Sequence, residues 1–187
     1  SEDSIYFLQY GACQESLKRI QAALLHITKL FHVSCGLSDW FMSFSEYKKG
    51  IRQAELAISV GYTVMRGEKI FSFRQLYCEI VSALILEETG NSFMCHELKE
   101  LLTDSERSEA LVETLQSYLS LQGRISNIAE SLQIHKNTVS QRLQKIESLT
   151  GFQLSDPICM GALDFQLLLD RVNRLMSEAE KVQDNHE

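Results

Sequence analysis

The chain has 187 residues, is 44% hydrophobic and carries a formal charge of −7 at pH 7, so it can bury one sizeable core or two small ones. The acidic balance excludes a protein that coats nucleic acid indiscriminately, since such proteins are basic over a wide surface; no apolar run approaches the ~20 residues of a membrane span, and no charged-then-apolar leader opens the chain. Cys13, Cys35, Cys78, Cys95 and Cys159 are odd in number, scattered and nowhere arranged as CxxC, which predicts buried reduced thiols in a soluble cytoplasmic protein with no metal, disulfide or cofactor.

In chain order, Ile5-Tyr6-Phe7-Leu8-Gln9-Tyr10 is rich in β-formers and too short for a helix, so it reads as a buried strand. Leu17, Ile20, Leu24, Ile27 and Phe31 step by three and four, which predicts a helix with Lys18, Arg19 and Lys29 outside. His32 to Ser38 reads as a second strand. Ser45 is placed to cap a helix with the apolar stripe Tyr47, Ile51, Ala54 and Ile58, ending near Gly61 or Gly67 before a short strand at Lys69 to Phe73. The order βαβαβ is that of an α/β sheet unit.

Residues 74–120 read as helical, with Leu76, Ile80 and Leu84 as one stripe, a break at Thr89-Gly90-Asn91-Ser92, and then Leu98, Leu101 and Leu102. Asp104 or Ser105 is expected to cap a helix carrying Leu111, Leu115, Tyr118 and Leu119. Farther on, Gly151 reads as a left-handed stop, Asp156-Pro157 as a turn, and Leu163, Leu167, Leu168, Val172 and Leu175 as the stripe of a last helix with a frayed acidic end. That helix is expected to return to the core or to pair with another chain. The expected fold is mainly α with a small α/β part: residues 1–80 an α/β unit, 81–104 a helical connector, 105–187 a DNA-binding domain.

The most informative stretch runs from Gly123 to Ile146 and has the spacing of a helix-turn-helix. Ala129 stands where two steeply crossing helices come closest, so only a small side chain fits there. Ile128, Leu132, Ile134, Val139, Leu143 and Ile146 supply the buried side, while Lys136, Asn137, Ser140, Gln141 and Lys145 fall off the stripe and face outward. No acidic residue lies between Glu130 and Glu147, although His135, Lys136, Arg142 and Lys145 do. Residues 121–187 hold seven Lys+Arg against nine Asp+Glu, and the rest of the chain eleven against sixteen, so most of the acid sits away from this segment. A local clearing of negative charge suits a phosphate partner.

The motif, with Glu113-Thr114-Leu115, Tyr118-Leu119, Asn127-Ile128-Ala129, Ile134 to Thr138, Arg142-Leu143, Ile146-Glu147, Leu149-Thr150-Gly151, Leu154, Asp156-Pro157 and Leu163, resembles the C-terminal Fis-like helix-turn-helix domain of PucR and CdaR type regulators. The sequence departs from the family's usual Arg at Lys136 and from its Arg-aromatic pair at Ser140-Gln141. Val33 to Ser38, Tyr47 to Ala54, Glu55, Ala57 and Lys69 to Phe73 resemble the later half of the degenerate GGDEF-like domain found upstream in the same regulators. That resemblance implies a chain starting inside that domain, a metabolite effector acting through a region outside it, and no cyclase activity, because Ser1 to Ile5 stand where the glycine-rich acidic hairpin would be.

The expected function is a sequence-specific transcription regulator, not an enzyme, that binds double-stranded DNA as a homodimer through the helix at residues 136–147. Asn137 and Gln141 are candidates for adenine, Lys136 and Arg142 for guanine or phosphate, Ser140 for any neighbour, His135 for phosphate or base, Thr138, Arg124 and Ser126 for phosphate, and Lys145 for a DNA contact of unassigned kind. Each has a duller role open to it: His135, Asn137 and Thr138 as caps, Arg142 as a partner of an acid such as Glu130, the others as solvated surface. Two alternatives stay open at this point: a nucleotide-binding sensor or cyclase-like enzyme remnant, and a helix-turn-helix used for protein contacts. The first lacks a phosphate-gripping glycine loop and a carboxylate pair at catalytic spacing.

Overall fold

The computed structural model describes residues 14–41, 43–103 and 108–184. The strand expected at Ile5 to Tyr10, Cys13 and the cap expected at Asp104 or Ser105 lie outside them. The described chain divides into two units, one of residues up to Ile85 together with those from Val172 onward, the other Leu86–Arg171.

In the first unit, α1 (Gln14–Phe31) leads to β1 (Cys35–Leu37), α2 (Tyr47–Val64) and β2 (Ile70–Ser72). The two strands pair in parallel, Cys35 opposite Ile70, Gly36 opposite Phe71 and Leu37 opposite Ser72. Parallel partners need a crossover, and α2 supplies it while packing on both strands. The strands are shorter than the apolar runs suggested. His32 takes a left-handed φ of 54°, which turns the chain before β1 begins. Ser45 does not cap α2; Ser43 Oγ accepts from the Ser45 amide and opens a single 3-10 turn, Phe44–Glu46, ahead of the helix.

Close packing of α2 on the sheet depends on glycine at two positions. A Cβ on Gly36 would lie 2.1 Å from the Ala54 carbonyl oxygen, and one on Gly61 would lie 2.3 Å from the ring of Phe71, which is fully buried. Beyond β1, Arg74 reaches Asp39 at 2.6 Å, and the Asp39 carboxyl is held below its ordinary range by the Trp40 amide first and by Arg74 second. Both partners are substantially exposed, so the pair fixes a loop more than it stabilises the fold.

In α3 (Tyr77–Thr89), Ile80 and Ala83 are buried together with Leu76 just ahead of the helix, whereas Leu84 is exposed. The stripe therefore closes by three residues rather than four. A 3-10 turn, Gly90–Phe93, makes the expected break.

The second unit contains α4 (His96–Thr103), α5 (Glu109–Ser120), α6 (Ile125–Ser131), α7 (Lys136–Thr150) and the first part of α8 (Pro157–Asp184). One core joins them: Leu98 and Leu101 from α4, Leu111 and Leu115 from α5, Ile128 and Ala129 from α6, Val139, Leu143 and Ile146 from α7, then Leu154 and Leu163. The helix α4, within the connector expected from sequence, thus contributes two leucines to this core. At the other end, Asp156 Oδ1 accepts from the Ile158 amide at 3.0 Å, so Asp156-Pro157, read as a turn, is the cap and first residue of α8.

Among the described cysteines Cys78 is exposed and Cys35, Cys95 and Cys159 are half-buried free thiols, not fully buried ones. They sit at element ends and helix flanks, where the chain leaves the core.

Replacing Gly36 with Ala forces α2 off β1, and the expected loss is about 1–3 kcal/mol of stability, read as a lowered thermal midpoint of the full chain. A melt identical to that of the parent would show that the helix does not lie this close to the sheet.

Candidate nucleic-acid interface

The turn from α6 into α7 is set by backbone geometry. Leu132 closes α6, Gln133 adopts a left-handed φ of 54°, and the Ile134 amide reaches back to the Ala129 carbonyl at 3.0 Å. Glycine is the easier residue at such a φ; here the bond to Ala129 and the half-buried Leu132 and Ile134 hold the turn in place. Ala129 itself is buried, as its small size required.

The buried side of α7 is Val139, Leu143, Ile146 and Thr150. It contacts α4, α5 and α6, and each buried aliphatic chain contributes about 1.5–3 kcal/mol relative to an exposed one. Orientation of the opposite face follows directly. Lys136, Asn137, Ser140, Gln141 and Lys145 are all exposed, and Gln144 and Ser148 share their side of the helix. Gln144 was missing from the expected residues, although its spacing of three from Gln141 and seven from Asn137 was readable.

His135 caps α7: its Nδ1 accepts from the Asn137 amide at 3.2 Å. That nitrogen offers its lone pair, so the ring proton belongs on Nε2, leaving a donor on an exposed ring. The Asn137 side chain is therefore not the cap. Thr138 is half-buried, and its amide returns to the His135 carbonyl at 2.9 Å. Ser140 Oγ donates to the Lys136 carbonyl at 3.2 Å, which leaves its oxygen lone pairs available. Arg124 stands immediately before α6 with Ser126 in its first turn, both exposed.

Arg142 differs from the expectation. It is half-buried, and its Nη1 donates to the Ala110 carbonyl at 3.3 Å and to Thr114 Oγ1 at 3.2 Å. Thr114 is itself fully buried and donates to Ala110 at 2.7 Å. The cause is its position three after Val139 and four before Ile146, on the flank of the apolar stripe that meets α5. Glu130 is not its partner.

The far end of α7 is fixed by a backbone clamp. Gly151, with φ 73°, stops the helix, and its amide bonds the Glu147 carbonyl at 2.9 Å. Glu147 Oε1 then accepts from the Leu154 amide at 2.8 Å, while the Tyr118 hydroxyl donates to the Leu154 carbonyl at 3.0 Å. Both backbone groups of a nearly fully buried residue are thereby satisfied by side chains. The one acid on α7 is thus committed to a backbone amide.

Among the described residues no helix is long and apolar enough to cross a membrane, and no group of three His, Cys, Asp or Glu side chains is placed to hold a metal ion.

Residues 111–169 match the family described as the PucR C-terminal helix-turn-helix domain. A purine catabolism regulatory protein of Bacillus subtilis (strain 168) is 28% identical over 145 residues, covering 75% of this chain and 26% of its own length. The proline-responsive transcriptional activator PutR of the same organism is 36% identical over 87 residues, covering 43% of this chain and 21% of its own length. The chain thus spans about a quarter of the length of the curated relatives it matches. A crystal structure of a regulator of polyketide synthase expression from Bifidobacterium adolescentis aligns at 17% identity with a TM-score of 0.39, covering 68% of this chain and 50% of that one.

Glu147→Ala removes the acceptor for a buried amide and is expected to lower stability by about 1–3 kcal/mol. Glu147→Gln, which keeps an acceptor oxygen, should recover most of the thermal midpoint; equal loss in both variants would deny the clamp its role.

Proposed function

We propose that this chain, whose residues 111–169 carry a PucR-type helix-turn-helix domain, is the DNA-reading part of a sequence-specific transcription regulator acting in the cytoplasm. The observation that carries the reading is α7. Its apolar side is held by three helices, and its free side is polar, exposed and without acid from Ser131 to Ile146. A helix mounted in this way fits the major groove, which is wide enough to admit it.

The roles follow from placement along the helix. Lys136 and the His135 Nε2 proton stand at the amino end, where a cationic side chain and a ring donor reach phosphate oxygens. Arg124 and Ser126, at the start of α6, fit the backbone of the same strand. Thr138 lies at the margin of the face and suits a phosphate rather than a base. Asn137, Ser140 and Gln141 face the floor of the groove, and Lys145 stands on the flank of that face, where a phosphate runs. Arg142 has no such freedom while it bonds α5.

One helix covers a small part of a duplex, so the reading includes a homodimer that sets two copies of α7 about 34 Å apart on a two-fold related site. The names of the relatives, a purine catabolism regulatory protein and a proline-responsive transcriptional activator, support a regulator of metabolic genes that answers to a small molecule.

Gel retardation tests this directly. Lys136→Ala and Lys145→Ala should each weaken binding across all sequences and lower the slope of log affinity against log salt by about one, with no change in the melt. If no genomic fragment is retarded even at low salt, the assignment fails.

A further inference from the structure

The outward face of α7 is unusual in one chemical respect: its middle is made of amides. Asn137, Gln141 and Gln144 follow one another at intervals of four and three, so they line one side of the helix. All three are exposed, and none of their side-chain amides is hydrogen-bonded within the protein among the described residues. The seven-residue span from Asn137 to Gln144 covers about 10 Å of helix axis, close to the length of three base steps at about 3.4 Å each.

Arginine, the side chain best suited to guanine, is absent from this line. Arg142 is the only arginine of α7, and its Nη1 is turned to the Ala110 carbonyl and the Thr114 hydroxyl on α5. The cations that remain, Lys136 and Lys145, stand to either side of the amides, where phosphates run. An amide, by contrast, offers one donor and one acceptor in a plane, matching N7 and the N6 amino group of adenine.

We infer that Asn137, Gln141 and Gln144 together read adenines in neighbouring base pairs of each half-site, and that Arg142 acts only by holding α7 at its angle to α5. The inference rests on the DNA-binding reading above and gives that reading a base preference. Gln144 becomes a specificity residue and Arg142 a positioning residue.

The test is selection of bound duplexes from a random pool by the full chain, followed by competition with single A·T to G·C changes. The selected half-site should carry adenines at adjacent positions, each disfavouring guanine by about tenfold or more. Gln144→Ala should erase the preference at one of these positions and leave the thermal midpoint in place. Arg142→Ala and the milder Arg142→Lys should weaken all sequences in the same proportion, with a lowered midpoint at least for the alanine. Guanine at the selected positions, an unaltered preference in Gln144→Ala, or loss of a single base preference in Arg142→Lys would each overturn the inference while leaving DNA binding standing. Failure to select any duplex would instead remove the reading beneath it.

Discussion

Everything in the second unit turns on how α7 is wedged. Val139, Leu143 and Ile146 are driven out of water against α4, α5 and α6, and a helix has only one way to bury three such residues at spacings of four and three. Once that side is committed, the positions opposite it, Asn137, Ser140, Gln141, Gln144 and Lys145, have no choice but to face solvent. The polar face is therefore a consequence of burial on the other side, and its side chains can be chosen for recognition without affecting the fold.

Burial alone lets a helix slide or rock along its groove of neighbours. Two polar attachments remove that freedom at different heights. Near the middle, the Arg142 guanidinium bonds the Ala110 carbonyl and Thr114 on α5; near the end, Glu147 takes the Leu154 amide while Tyr118 of α5 takes the Leu154 carbonyl. Both attachments join α7 to α5 or to the loop that α5 also holds. Directional bonds of this kind add about 0.5–1.5 kcal/mol each, less than the apolar contacts, but they specify angle and register where dispersion forces do not. A reading helix needs that more than it needs further stability, because a shift of an ångström takes a side chain out of reach of its base.

How much of this could be read from the sequence depended on whether the signal was periodic or relational. The stop at Gly151, the small residue at Ala129 and the outward polar side of α7 were legible, because spacing and residue type fix them locally. The strand-helix-strand order around β1 and β2 was legible for the same reason. Arg142 was not: its spacing placed it on the flank of the stripe, but only the position of α5 decides whether that flank meets water or a carbonyl. Leu84 shows the same limit, since Leu76, Ile80 and either Leu84 or Ala83 make a valid stripe, and the neighbours chose Ala83. The Glu147 clamp and the part played by Asp156-Pro157 as a helix start were hidden too, because each depends on where a chain segment returns after a glycine or proline.

The charge of the chain bears on how such a helix would discriminate between sites. With −7 overall and only Lys136 and Lys145 as free cations on α7, few counterions are released per copy, and counterion release supplies essentially all non-specific affinity. Long-range repulsion between an acidic protein and the duplex lowers that background further. Weak attraction to arbitrary sequence then leaves base contacts and pairing of two half-sites to carry the difference between operator and bulk DNA. An amide-lined face with few lysines suits a reader of this kind, because it gives up general affinity, the contribution that does not distinguish one sequence from another, and keeps the contribution that does.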